Sequence, residues 1–252
     1  MAHPSFAVVI PMYNEQAAAE ACARAVCEEL RKLPHRSALI AVNDGSKDAT
    51  GEILAALSLQ EPKLTLVTHP ANRGYGAALR TGVGAAAAAG YDYVLFMDSD
   101  LTNHPRDIPR FAKAMEDGVD VIKASRYIPG GGMEGVPLKR SLISWLGNRV
   151  AGWLFGMGLH DCTNGFRALR TAIAVQMDLR ERRFPIIMEE LYHCRFLATT
   201  FREIPVVLTN RRLDQRKTSF SYTPGTFWKY FKFALLAFLH VRPAEYARTR
   251  KD

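Results

Sequence analysis

Cysteine is scarce in this chain: four residues, Cys22, Cys27, Cys162 and Cys194, in a length of 252. No two of them form a C-x-x-C pair, and no Cys/His group has the spacing of a zinc site. That sparseness excludes a disulfide-stapled scaffold and predicts buried thiols in a reducing compartment. Long apolar runs are missing as well. No stretch reaches the roughly 18–20 apolar residues that a membrane-spanning helix requires. The first residues, Met1-Ala2-His3-Pro4-Ser5, carry no basic segment, and the apolar run at 6–10 is too short for a secretion signal. A cytoplasmic protein is expected. There is no internal repeat and no linker rich in Pro, Ser or charge, so one domain with a C-terminal extension is the simplest organisation.

What remains is ordinary in bulk and uneven in detail. A hydrophobic fraction of 48% and a charged fraction of 23% are those of a globular chain and exclude disorder, collagen and coiled coil. The formal net charge is +8. Residues 202–252 hold 11 basic against 4 acidic side chains, a surplus of 7, so nearly all of it lies in the last fifth. A basic tail fits a polyanionic partner: nucleic acid, an anionic membrane surface or a phosphorylated substrate.

Five short, largely apolar runs, at 6–10, 38–42, 64–68, 93–97 and 119–124, read as strands, and that character suits a parallel sheet covered on both faces. Helices are expected between them at 15–32, 48–59 and 74–89, and later at 138–157. Alternating strands and helices predict a doubly wound α/β sheet, whose ligands bind at the carboxyl ends of the strands.

Those ends are acidic. The first strand runs into Pro11-Met12-Tyr13-Asn14-Glu15, the second into Asn43-Asp44-Gly45-Ser46, and the fourth into Asp98-Ser99-Asp100. Each reads singly as a turn or a helix cap. Together they gather carboxylates at one sheet edge, which is costly unless a cation or hydrogen-bond donors sit among them. Asp98 and Asp100, two apart on an extended segment, point the same way and supply hard oxygen ligands for Mg²⁺ or Mn²⁺.

The ordered set of these motifs, with Asn72-Arg73-Gly74-Tyr75-Gly76-Ala77, closely resembles the inverting family 2 glycosyltransferases of GT-A fold. Asp98-Ser99-Asp100 with its flanks 97–105, Ser125-Arg126-Tyr127, Gly130-Gly131-Gly132, the stretch 138–144 and Gly165-Phe166-Arg167 are similar to the dolichol-phosphate mannose synthase and bacterial polyprenyl-phosphate glycosyltransferase branch. The resemblance covers residues 6 to about 220. It implies a GT-A, mostly parallel sheet flanked by helices over 1–210, and a basic loop with an amphipathic helix over 211–252 that is no independent domain. It also implies a nucleotide-sugar donor, GDP-mannose or a UDP-sugar, with Pro11, Tyr13, Glu15 and Asp44 at the base and ribose and Val42 lining the site. Asn43 stands where the family has its first Asp. Asp98 and Asp100 match the metal-binding pair, with Ser99 close to the ribose or phosphate. Arg126, Arg140 and Ser144 match phosphate-contacting residues. Arg211 and Lys217 keep the six-residue spacing of a diphosphate clamp, although Asp214 and Arg216 replace its Gly and Ser.

An acceptor phosphate is already an anion and needs positioning and charge neutralisation rather than a general base. On a helix, Arg140 and Ser144 share a face. The stretch from Phe227 to Val241, with four aromatic residues before Lys232 and Lys229 three positions from it, suits an interfacial helix on an anionic membrane; a buried terminal helix is the other reading. The full expectation is a sugar transferred to a polyprenyl phosphate, dolichyl or undecaprenyl, by a peripheral enzyme on the cytoplasmic leaflet, held by the membrane or a membrane-protein partner, with no nucleic-acid partner. Two alternatives stay open. One is a family 2 transferase acting on a soluble or glycan hydroxyl, with Glu189 or Glu190 as base. The other is a non-catalytic nucleotide- or nucleic-acid-binding module.

Overall fold

The computed structural model describes residues 3–209 and 224–243. The chain opens with strand β1 (Phe6–Met12), helix α1 (Ala19–Arg31), β2 (Ser37–Asn43), α2 (Thr50–Gln60), β3 (Leu64–Thr68), α3 (Tyr75–Ala88) and β4 (Tyr93–Phe96). A 3₁₀ turn at Pro105–Asp107 leads into α4 (Ile108–Glu116), followed by β5 (Val121–Ser125), a short β6 (Gly132–Met133) and the long α5 (Leu138–Phe155). Then come β7 (Arg167–Arg170), α6 (Thr171–Ala174), α7 (Ile186–Leu197), β8 (Phe201–Pro205), β9 (Val207–Leu208) and α8 (Pro224–Phe238). The five strands expected from apolar runs are all present, shifted by a few residues at their ends.

Seven strands form one sheet in the order β3-β2-β1-β4-β7-β5-β8, and β6 pairs with β9 in a two-stranded ribbon. All neighbours in the large sheet are parallel except β7, which runs antiparallel to both β4 and β5. The chain leaves β1 toward β2 and β3 on one side and returns to place β4 on the other. The crevice between the carboxyl ends of β1 and β4 is thus the topological switch point, where open α/β sheets bind ligands.

Both faces of the sheet are covered. Phe6, Val8 and Ile10 of β1 join a core with α1, α2 and α4, while Ala7 and Val9 face α3, α6 and α7. Gly82 lets α3 lie close on β1: a Cβ there would come within 2.2 Å of Val9 Cγ1. A third cluster joins α5, α7 and α8 through Phe155, Leu191, Tyr192, Phe233, Ala234 and Ala237. The opposite side of α8 is exposed at Phe227, Trp228 and Phe231. The two readings of this helix therefore each describe one of its faces. Lys232 departs from the expectation of a lipid-facing charge: its ammonium donates to Glu181 at 2.7 Å. Among the described residues no helix is long and apolar enough to cross a membrane.

All four cysteines are buried as free thiols. Burial pushes Cys27 and Cys162 up to about 12 from an ordinary 9.0, and raises Cys22 and Cys194 further. Unfolded thiols ionise near pH 9 while the folded ones keep their protons, so stability is expected to fall as pH climbs from about 9 toward 12. Urea midpoints across that range will show the slope, and the double replacement Cys27→Ala with Cys162→Ala should flatten it. An unchanged slope would assign the effect to other groups.

Candidate active site

Two loops at the switch point are bound to each other. Asn14, after β1, has φ 54° and Oδ1 accepting from Lys47 N at 2.8 Å, while its own N–H donates to Ser46 Oγ at 3.0 Å. Glu15 N–H donates to Thr50 Oγ1 at 2.8 Å. Pro11, Tyr13 and Glu15 stay partly exposed on this platform. Asn43, 4% exposed, accepts from Ser46 N–H and shapes the turn itself.

Asp44 follows β2 directly. Its Oδ1 accepts from His69 Nδ1 at 2.7 Å and Arg73 N–H at 2.9 Å; its Oδ2 accepts from Asn72 Nδ2 at 3.0 Å and Gly74 N–H at 2.8 Å. A carboxylate offers about four acceptor positions, and these four bonds fill them. Asp44 is 2% exposed and holds the 69–74 loop. With Nδ1 donating to Asp44, His69 Nε2 accepts from Thr81 Oγ1 at 2.9 Å, which fixes the ring. Val42 is fully buried among Ala7, Val9 and Ile40, and its position in β2 turns its side chain toward α3.

The carboxyl end of β4 delivers Asp98, Ser99 and Asp100 together. Asp98 Oδ1 accepts from Tyr75 Oη at 3.1 Å. Burial, reinforced by the Asp98 charge, pushes the Tyr75 hydroxyl well above its ordinary value, so it stays a donor. Asp100 Oδ1 accepts from Thr102 N–H at 3.1 Å and Thr102 Oγ1 at 2.8 Å, an Asx turn that sets the carboxylate's direction. Ser99 is 7% exposed and lies between them. Beneath, Arg167 and Glu190 form a fully buried pair at 2.5 and 2.6 Å, with the guanidinium 4.4 Å from the Phe96 ring centre.

Asp98 and Arg126 line a cleft of about 330 Å³ with Ser144, Asn148 and Thr163, and with Ile143, Phe184, Phe227, Tyr230 and Phe231 on its apolar side. Arg126 is held by Asp161 through Nε at 2.7 Å and Nη2 at 2.8 Å, and reaches Thr163 Oγ1 at 3.0 Å. Burial alone would raise the Asp161 carboxyl; Arg126 outweighs it and holds the group below its ordinary value. Ser144 Oγ lies 2.7 Å from Tyr127 Oη, which donates to it. Arg140 sits one turn earlier on α5, exposed and outside the cleft lining. Arg211 and Lys217 lie outside the described residues.

Glu189 and Glu190 do not reach the cleft. Glu190 is committed to Arg167, and Glu189 Oε2 accepts the N–H groups of Arg180 and Glu181. Several contributors escaped the sequence reading: Tyr75, Asp161, Thr163, Asn148 and Tyr230. Tyr75 lies inside the motif 72–77, though no role was drawn from it, and Asp161 stands four residues before Gly165–Arg167; that proximity was the available signal. Tyr230 brings α8 to the site; burial and the nearby Asp98 charge both raise its hydroxyl.

A Rossmann-like sheet with paired aspartates at the switch point, facing a cleft floored by an anchored arginine, defines a transferase built for a nucleotide-sugar type of ligand. The Glycosyl transferase family 2 domain matches residues 7–176, and the chain belongs to that family. It is 31% identical to the polyprenol monophosphomannose synthase of Mycolicibacterium smegmatis, over 84% of this chain and 80% of the relative. It is 28% identical to the undecaprenyl-phosphate mannosyltransferase of Micrococcus luteus, over 84% of this chain and 86% of the relative. In fold it resembles glucosyl-3-phosphoglycerate synthase from Mycobacterium tuberculosis, solved with Mn²⁺, UDP-glucose and phosphoglyceric acid, with a TM-score of 0.65 at 18% identity over 96% of this chain and 81% of that one. The same enzyme has been solved with Mg²⁺ and UDP, at a TM-score of 0.64 and 18% identity, over 96% of this chain and 81% of that one. The GT-A architecture is thereby shared, and the protein is a glycosyltransferase.

Proposed function

We propose that this glycosyltransferase moves a hexose from GDP-mannose or a UDP-sugar to a polyprenyl phosphate, inverting the anomeric carbon, with Mg²⁺ or Mn²⁺ as cofactor. The observation that carries the reading is the two-sided character of the cleft. Asp98, Arg126 and Ser144 form a polar floor, and Ile143, Phe227 and Phe231 form an apolar wall that continues onto exposed side chains of α5 and α8. A phosphate carrying a long hydrocarbon chain meets both demands in one molecule; a sugar hydroxyl does not use the apolar wall.

Mechanistic roles follow from charge. Asp98 and Asp100 offer two hard oxygen donors, so the residues fit Mg²⁺ or Mn²⁺. When bound, such an ion would supply neutralisation of charge on the leaving diphosphate. Arg126, fixed by Asp161 and Thr163, keeps its guanidinium in place without reorganisation as charge develops. Ser144, oriented by Tyr127, and Arg140, one turn away, are assigned to the acceptor phosphate. Arg211 and Lys217 are assigned to the donor diphosphate, with Pro11, Tyr13, Glu15 and Ser99 around the nucleoside. Asp98 is the only carboxylate among the described residues of the cleft lining, which suits an acceptor that is already ionised.

The membrane attachment is read from the same helices. Trp145 and Trp153 of α5 and Trp228 of α8 are 44%, 69% and 60% exposed, beside Leu142 and Leu146. Amphipathic tryptophans on such a face suit the headgroup depth of an anionic leaflet, here the cytoplasmic one, or a membrane-protein partner that presents the lipid. The 211–252 segment is read as an extension of the transferase domain, and nucleic acid is not a partner.

The test is a donor screen with radiolabelled GDP-mannose, UDP-glucose, UDP-N-acetylglucosamine and UDP-galactose, undecaprenyl phosphate and Mn²⁺. One donor should yield a lipid-extractable product. Transfer only to water-soluble acceptors would sink the reading. In the same assay Arg140→Ala should raise the KM for lipid phosphate roughly 10–100-fold, the worth of a charge-assisted hydrogen bond, with nucleotide-sugar affinity unchanged. Equal losses on both sides would move Arg140 to the donor.

A further inference from the structure

At the edge of the sheet opposite the aspartate pair, the geometry points to a second metal site, in which His3, His35 and Glu116 hold a divalent transition ion of the zinc class. His3 precedes β1, His35 lies in the loop before β2, and Glu116 is the last residue of α4. Their ligand atoms all lie within 4.8 Å of one another.

Three observations carry this assignment. The His35 side chain is 3% exposed, yet neither ring nitrogen makes a hydrogen bond among the described residues. A buried imidazole left so is costly unless something completes it. His35 Nε2 stands 3.4 Å from Glu116 Oε1. Two ligands at Zn–N and Zn–O lengths of about 2.0–2.2 Å on a tetrahedral ion stand roughly 3.3–3.5 Å apart, so this spacing matches a shared ion better than a hydrogen bond. His3 Nδ1, 2.6 Å from the same oxygen, has to open by just under 1 Å to match. Its side chain is 46% exposed, so it has the room.

The electrostatics agree. Burial, and His3 beside it, hold the His35 imidazole below its ordinary pKa against the pull of Glu116, which keeps it in the neutral form that ligates metals. Glu116 closes α4, where the helix dipole favours a cation. Lys113 Nζ occupies Glu116 Oε2 at 3.1 Å, and Oε1 faces the histidines. Two imidazoles and one carboxylate suit Zn²⁺ or Co²⁺ and disfavour Mg²⁺, and a fourth position is left for water. Such an ion would tie the segment before β1 to the α1–β2 loop and to α4.

The experiment uses the full chain without an affinity tag, stripped of metal and kept in excess Mg²⁺ to fill the aspartate pair. Co²⁺ titration should develop the visible absorption of a four-coordinate ion, saturating at one equivalent and abolished by Zn²⁺. His3→Ala and Glu116→Gln should each weaken Co²⁺ binding at least about tenfold, and Asp100→Asn should leave it unchanged. His35→Ala removes a buried ring, so His3→Ala, at an exposed position, is the deciding variant. No saturable absorption, or equal affinity in His3→Ala, would reduce the cluster to a packing contact between the two rings.

Discussion

Asp100→Ala should lower sugar transfer by roughly three orders of magnitude, the scale expected when charge stabilisation worth several kcal/mol is removed from a leaving group. The reason lies in what the side chain does. Its Oδ1 is turned by the Thr102 N–H and hydroxyl, so the carboxylate's aim is set before any ligand arrives. The informative companion is Asp100→Asn, which keeps an oxygen acceptor for the turn and loses the charge. If charge is the point, both variants fail in single-turnover assays and neither regains rate with excess Mn²⁺. Full activity in Asp100→Asn would leave Asp100 as a turn residue only.

The second large effect is on stability. Arg167→Ala is expected to cost about 3–5 kcal/mol, because it leaves Glu190 buried and unpaired. For a chain of this size the thermal midpoint should drop by roughly 6–20 °C. Restoring balance with Arg167→Met and Glu190→Leu together should recover most of the loss, as a buried ion pair is worth little more than well-packed apolar groups. Denaturant titration of both singles and the double variant closes the cycle. A loss under about 1 kcal/mol in Arg167→Ala would mean that water reaches the pair. The pair also lies under Asp98, so activity in the double variant reports whether the Arg167 charge contributes to the aspartates above it.

How legible the molecule was depends on how each element is held. Strands β1, β2 and β4 are apolar on both faces through their centres, and that shows as unbroken runs. Strand β7 hides because two of its four residues are arginines; Arg167 is buried only because Glu190, on α7, meets it across the fold. No local pattern announces such a pairing. Of the residues singled out by motif order, Asp98, Arg126 and Ser144 line one cleft. Residue type does not reveal that the Val42 side chain points into the core or that four donors converge on Asp44. The C-terminal helix reads from its sequence as interfacial or as buried, and only packing shows which residues make its inward face, with Tyr230 near the aspartates.

That inward face has a practical consequence for anyone trimming the protein. Helix α8 looks like a dispensable greasy appendage, and cutting the chain before Pro224 is the obvious way to improve solubility. The same cut would remove Tyr230 and Phe231 from the cleft, uncover Leu191 and Tyr192, and strand the Tyr192 hydroxyl that now donates to Val241 O at 2.8 Å. A shortened chain would therefore lose a wall of its own reaction chamber, and replacing the outward ring of Trp228 is the sounder route to a well-behaved sample.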